Sequence, residues 1–361
     1  MKVAIVHDWL TGMRGGEVVL EGLLDIFPNA DLFTLIHIKG RCSTKIENRK
    51  IYTSFIQKFP FKEKIYRYYL PFFPTAIEEF DFWDYDLVFS SSHCVAKGVI
   101  VPPGIPHFSY IHSPMRYVWD MYRTYFPGNS IMQKTIIPFF ANYLRIWDAS
   151  SSFRVDEYIA NSKFVANRIQ RYYGRTATVI HPPCYKDLPK MNFKNRDNFF
   201  LIVSALVPYK RVDLAIEAFN KTNEKLIIAG SGPELKKLQN IARKNIEFIV
   251  SPSKELIIEL YQNAKALVFP GIEDFGIVPV EAQTYGCPVI ALKKGGALET
   301  IWENKTGIFF EEQNTESLLN AIKEFDKHSF YEKDFILHLK KFSYNNFYQK
   351  IKKIVLSYID F

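Results

Sequence analysis

The segment Phe269–Ile301, FPGIEDFGIVPVEAQTYGCPVIALKKGGALETI, carries two carboxylates eight positions apart, Glu273 and Glu281. The run ALVFP ahead of them reads as a buried strand, the stretch from Gly271 to Gly276 as its exit loop, and Pro279 as a first-turn residue of the following helix. This places Glu273 in the loop and Glu281 in the first helical turn, both toward one cleft. The backbone N–H groups of Phe275, Gly276, Ile277 and Val278 point the same way, and a helix N-terminus favours an anion there. A ligand with hydroxyls at both ends and phosphates between them would satisfy all three features. Taken alone, Glu281 could equally be a carboxylate that complements the helix dipole.

Other stretches offer matching chemistry. VPYKRVD sets Lys210 and Arg211 where a strand gives way to a helix, and two cations beside free N–H groups suit a diphosphate. The alternative is a solvated basic turn. AGSGPE, with Gly230, is a glycine turn into a helix. GMRGGE, with Gly15 and Gly16, is its counterpart in the first half, where missing side chains let the backbone approach a phosphate. Either could also be a simple tight turn. YIHSPMRYVWD places His112 after a strand, with a surface histidine as the plain alternative. Asp84 and Asp86 of DYD resemble a metal-binding pair but precede a strand, so they read as turn and strand-opening residues. No His, Cys and Asp cluster has metal-ligand spacing, and no bound metal is expected.

The elements that must hold these residues alternate. VAIVH, DLVFSSS, HFSYIHS, EYIANS and ATVIHPP are strand-like runs in the first half, and NFFLIVSALV, EKLIIAGSG, IEFIV, ALVFPG and PVIALKKGG in the second. Helical periodicity separates several of them, as in EVVLEGLLDIF and YKRVDLAIEAFNK. The pattern is α/β: two doubly wound, Rossmann-like parallel sheets whose ligands bind at the carboxyl ends of the strands. The aperiodic CYKDLPKMNFKNRDN reads as the linker, giving domains 1–184 and 185–344, and residues 345–361 read as a terminal helix. At 361 residues and 48% hydrophobic content the chain can bury two cores. Its net charge of +8 suits an acidic ligand without demanding nucleic acid. Four scattered cysteines argue against a disulfide framework, and neither a signal peptide nor a membrane-spanning run is seen. A cytoplasmic protein is expected. Aromatics interleaved with Lys58, Lys62, Lys64 and Arg67, and the stretch IIPFFANYLRIWD, suit either the sheet or an anionic membrane surface.

EDFGIVPVE, SALVPYKRVDLAIEAF, IIAGSGPE, KKGGALETI, TGIFF and YIHSPMRYVWD together resemble the retaining glycosyltransferases of family 4, which have the GT-B fold. They look most like bacterial mannosyltransferases that build O-antigen, capsule or exopolysaccharide. The resemblance implies two domains facing each other across a cleft: an acceptor-binding domain, a nucleotide-sugar-binding domain, and a terminal helix returning to the first. It implies Glu273 on the donor sugar, Glu281 on the ribose, Lys210 with Arg211 on the diphosphate, Gly15 and Gly16 near the same phosphates, and His112 beside the sugar. It further implies metal-independent transfer from a nucleotide-sugar, GDP-mannose, to a lipid-linked or free oligosaccharide acceptor at the inner membrane's cytoplasmic face, with no other cofactor. One departure stands out: Ser204-Ala205-Leu206 replaces the family's Gly-Arg-Leu, so the customary phosphate-binding arginine is Ala205. An epimerase or phosphorylase on the same architecture, or a binding subunit without turnover, are the competing readings.

Overall fold

A computed structural model describes residues 1–126, 128, 130–193 and 196–359. The chain forms two compact units, one of Met1–Pro183 together with the segment from Tyr344 onward, the other of Cys184–Ser343.

The first unit is built on a parallel sheet of β1 (Val3–His7), β2 (Asp31–Thr34), β3 (Ile51–Thr53), β4 (Leu87–Ser92), β5 (His107–Ile111), β6 (Glu157–Ala160) and β7 (Thr178–Val179). The spatial order is β3-β2-β1-β4-β5-β6-β7. The order reverses between β1 and β4, and side chains leaving the carboxyl ends of those strands meet there. β1 and β4 are buried along their whole length, which is why they read as unbroken apolar runs rather than alternating ones. Helix α1 (Gly15–Ile26) follows β1 and buries Val19, Leu20, Leu23 and Leu24 on the sheet. Helix α2 (Ile131–Ser150) buries Ala141, Leu144 and Trp147 along one stripe. Its opposite face leaves Ile131, Met132, Ile136, Phe139 and Ile146 exposed. Helix α3 (Lys163–Tyr173) is capped by the Ser162 hydroxyl and ends at Gly174 in the left-handed region. Asp84 and Asp86 stand before β4, where Asp86 accepts from the Lys2 N–H at 2.6 Å.

The second unit repeats the plan with β8 (Phe199–Val203), β9 (Lys225–Ala229), β10 (Ile246–Ile249), β11 (Ala266–Phe269), β12 (Val289–Leu292) and β13 (Gly307–Phe310), in the order β10-β9-β8-β11-β12-β13. Here the reversal falls between β8 and β11. Helices α4 (Val212–Phe219), α5 (Leu235–Ile241), α6 (Lys254–Asn263), α7 (Ile277–Thr284), α8 (Thr315–Glu324) and α9 (Glu332–Leu339) accompany these strands. Two of this unit's apolar clusters pack on the sheet. One holds Phe200, Val212, Leu214 and Leu318, the other Leu201, Leu267, Ala282 and Val289.

The segment read as a linker is not free chain. Cys184 donates its N–H to Phe342 O at 2.9 Å, Met191 is buried beside Phe275 and Phe342, and the Arg196 guanidinium donates to the carbonyls of Tyr261, Ala264 and Tyr285. It is short of apolar periodicity because side chain-to-backbone bonds, not a packed helix face, tie it to the second unit. Lys194 and Asn195 of that segment lie outside the described residues. The terminal helix α10 (Tyr344–Ile359) returns to the first unit, where Phe347, Ile351 and Val355 join the cluster of Leu20, Leu23 and Leu24. Gly22 of α1 permits this, since a Cβ there would stand 3.0 Å from the Phe347 ring. The last two residues expected in that helix also lie outside the described ones.

Candidate active site

In the second unit every chemically suggestive loop leaves the carboxyl end of a strand. After β8 the chain runs through Ser204, Ala205 and Leu206 into a short turn, Pro208–Lys210. Arg211 then adopts the left-handed conformation, φ 54°, and opens α4. After β11, Gly271 packs on that turn: a Cβ there would lie 3.0 Å from Lys210 O and 3.1 Å from its Cα. This contact brings the Lys210 ammonium onto the Glu273 carboxylate as a hydrogen-bonded ion pair, with the two side chains 19% and 15% exposed. After β12, Gly295 and Gly296 close the loop from behind. Gly296 donates its N–H to Glu273 O at 2.9 Å, and a Cβ on it would sit 2.2 Å from Phe275 O. After β9, a Cβ on Gly230 would lie 1.9 Å from Ser204 O, so only glycine lets these two loops touch.

One sequence expectation needs correction. Gly276, at φ 87°, caps α7, which begins at Ile277. Pro279 is therefore the third helical residue and Glu281 the fifth, in the second turn rather than the first. The left-handed Gly276 starts the helix earlier than the proline suggested. Glu281 is half-buried beside the Tyr261 hydroxyl, and this burial raises its carboxyl above the ordinary range despite Lys254 and Tyr261. Of the other expected residues, Arg211 turns its guanidinium to Asp213, at 3.1 Å. Phe275 is buried against Val280, Phe335 and Phe342, so only its backbone is available to a ligand. Ile277 and Val278 form the first turn of α7, whose N–H groups have no acceptor within the helix.

In the first unit the register of the sheet assembles a polar cluster that the sequence did not reveal. His7 on β1 lies directly opposite Ser91 on β4. His7 Nδ1 is 3.1 Å from Ser91 Oγ, and Ser91 Oγ is 2.8 Å from His112 Nε2. Glu17, in the first turn of α1, accepts from the Arg14 N–H at 2.9 Å and presents its other oxygen to His7 Nε2 at 3.7 Å. Gly15 and Gly16 are the first two residues of that helix. A Cβ on Gly16 would lie 3.5 Å from His7 Cε1 and 3.7 Å from His112 Nε2, while one on Gly15 meets open space. His112 is thus half-buried and held by a hydroxyl, not a free surface histidine. Burial first, then His93 and His7, push its pKa down to about 3. Asp8 is fully buried and accepts four N–H groups, from His93, Cys94, Val95 and Ala96, at 2.6 to 2.9 Å, and contacts His93 Nδ1 at 3.0 Å. Burial would raise its carboxyl, but His93 and these donors hold it well below the ordinary range.

His7, Asp8, Glu17, Ser91 and His93 are the residues missed. For all but Glu17, which lies in the first turn of α1, the available signal was position: each is polar yet sits within or just beyond a buried strand, as His112 does.

Comparison with known proteins places this architecture. Residues 15–184 match a family model described as Glycosyltransferase Family 4, and residues 186–341 one described as Glycosyl transferases group 1. The chain is 30% identical over 200 residues to the alpha-1,3/1,6-mannosyltransferase ALG2 of Kluyveromyces lactis, covering 40% of this chain and 40% of that protein. It is 26% identical over 192 residues to a GDP-mannose-dependent alpha-(1-6)-phosphatidylinositol monomannoside mannosyltransferase of Mycolicibacterium smegmatis, covering 45% and 50%. The chain therefore matches half or less of the length of these relatives. The solved structure of HepE from Anabaena in complex with UDP-glucose superposes with a TM-score of 0.71 over 99% of this chain and 100% of that one, at 17% identity. With both halves matched in sequence and the whole chain matched in fold, this is a GT-B protein of the glycosyltransferase family 4 type.

Proposed function

We infer that the chain is a retaining glycosyltransferase that moves mannose from GDP-mannose onto a growing, lipid-linked surface glycan, without a metal ion. The observation that carries this is the Lys210–Glu273 pair at the carboxyl ends of β8 and β11, where the strand order reverses. A cation and a carboxylate held together there suit a substrate carrying phosphate next to hydroxyls. In this reading Lys210 turns to the diphosphate, the α7 first-turn N–H groups share its charge, Glu281 accepts from the ribose, and Glu273 accepts from the sugar. The bond from the anomeric carbon to the phosphate oxygen breaks and the bond to the acceptor oxygen forms on the same face. The acceptor proton passes to the departing phosphate, and GDP leaves. Positioning and leaving-group stabilisation supply the rate.

The mannosyl and guanosine assignments rest on what the relatives' names say of those proteins. Among the described residues no helix is long and apolar enough to cross a membrane, and peripheral attachment at the cytoplasmic face is part of the same proposal. The test is transfer by the purified protein from GDP-mannose, UDP-glucose and UDP-galactose, with chelator present, and the anomeric configuration of the product read by NMR. GDP-mannose alone should serve, with retention. Transfer from a uridine donor, inversion, or loss of activity in chelator each refutes a named part of the reading. Ala205 favours one competing reading, a binding subunit, for which nucleotide would bind with no turnover at all.

A further inference from the structure

The first unit's cluster is a chain of hydrogen-bonding groups with one hydroxyl in the middle. It runs from the Glu17 carboxylate to His7, to Ser91, to His112. The parallel register that sets His7 opposite Ser91 fixes its middle, and α1, returning over β1, supplies Glu17. The rings of His7, His93 and His112 lie 6.1 to 6.5 Å apart. Among the described residues no three His, Cys, Asp or Glu side chains converge as metal ligands do.

Proton counting gives the chain a direction. The Glu17 carboxyl accepts the Arg14 N–H at 2.9 Å and lies below its ordinary value despite burial, so Glu17 is an anion and only accepts. His7 Nε2 is buried, and the Glu17 oxygen 3.7 Å away is the nearest charge recorded for it. A bare nitrogen lone pair facing that anion would be repelled, so a neutral His7 carries its proton on Nε2. Its Nδ1 must then accept from the Ser91 hydroxyl. Ser91 has one proton, and having given it to His7 it can only accept from His112 Nε2. His112 therefore holds its single proton on Nε2. Its Nδ1 has no hydrogen-bonding partner among the described residues.

We propose that Glu17, His7 and Ser91 are positioning residues that lock His112 in its Nε2–H tautomer, so that Nδ1 is presented as an acceptor for a sugar hydroxyl. The sugar as ligand rests on the glycosyltransferase reading above; the tautomer does not. The role differs from that of a histidine that donates to a sugar. It selects a hydroxyl over an ether or carbonyl oxygen, because only a hydroxyl brings a proton to a bare nitrogen.

The experiment uses the full chain labelled with 15N-histidine and long-range 1H–15N correlation at neutral pH. There are eight histidines, and His112→Gln and His7→Gln assign the two signals. The expected spectrum has His112 protonated at Nε2 and bare at Nδ1, with His7 neutral and protonated at Nε2. In Ser91→Ala, His112 should exchange between both tautomers. In Glu17→Gln, which keeps an acceptor for the Arg14 N–H, His7 should populate both. A wild-type His112 protonated at Nδ1, or a doubly protonated His7, overturns the relay without any variant, as does an unchanged pattern in both variants. In transfer assays Ser91→Ala should lower kcat about tenfold, the loss of one hydrogen-bonded arrangement, while leaving donor KM unchanged, and Ser91→Thr should restore it. Normal transfer by Ser91→Ala, with the expected spectra, overturns the hydroxyl-accepting role. If no nucleotide-sugar supports transfer, the glycosyltransferase reading fails, and the spectra still decide the relay.

Discussion

Replacing Lys210 by Met separates the structural and chemical roles of its pair with Glu273. The exchange keeps the stem and removes the charge. At an effective dielectric near 20, a cation about 4 Å from a phosphate is worth about 4 kcal/mol before desolvation. After desolvation a charge-assisted contact retains about 1.5–3 kcal/mol, and if it strengthens as the diphosphate departs the loss falls on kcat, by about ten- to a hundredfold. The same exchange leaves the Glu273 carboxylate, 15% exposed, without its partner. A fully buried ion left unpaired costs about 3–5 kcal/mol; at this exposure about 1.5 kcal/mol is expected, or about 3–6 °C in Tm for a unit of this size. The double variant Lys210→Met with Glu273→Gln removes both charges and should recover most of that Tm while remaining inactive. The assays are steady-state transfer and thermal unfolding of the four proteins in a double-mutant cycle. Should Lys210→Met keep kcat within threefold, or the double variant regain activity along with stability, the leaving-group role is wrong.

Glu281→Gln should raise Tm at neutral pH. Its carboxyl is raised in the folded chain, so between the unfolded and folded pKa values only the unfolded state has lost the proton, and stability falls as pH rises through that window. The variant should flatten the fall while weakening GDP binding about tenfold by calorimetry. Asp8 has the opposite sign. Its carboxyl is lowered, so its contribution is present above the ordinary carboxylate range and lost only as pH falls far below it. Asp8→Asn should turn an amide N–H toward the backbone donors it must accept from, and lower stability by about 2–4 kcal/mol in chemical denaturation. Vesicles containing phosphatidylglycerol should pull the protein down at low salt through the exposed Ile136, Phe139 and Ile146 of α2. Ile136→Ser with Phe139→Ser should abolish this, and equal binding by that variant would refute the assignment.

The second unit was more legible than the first because its motif residues lie in loops whose glycines leave a mark on the sequence. Gly271, Gly295 and Gly296 are there because backbone approaches backbone. β2 and β3, by contrast, are four and three residues long and carry no run an apolar pattern can detect. The histidine cluster was missed for a different reason. Its members come from β1, α1, β4 and the loop after β5, and only the strand register, a tertiary fact, brings His7 beside Ser91. His112 was visible through the motif around it, but its tether was not. The turn assigned to Glu281 failed because a proline marks a helical first turn without saying which of its positions it fills.

The return of α10 to the first unit bears on the order of synthesis. Residues 184–343 are complete before Phe347, Ile351 and Val355 have been translated, yet those three side chains belong to the apolar cluster in which α1 packs on its sheet. The unit that starts the chain therefore waits on the unit inserted into it. Until α10 arrives, Leu20, Leu23 and Leu24 are left with part of their apolar surface uncovered, while the second unit has every strand of its own sheet. A chain truncated after Ser343 should display a protease-resistant second unit beside a first unit that is still cleaved.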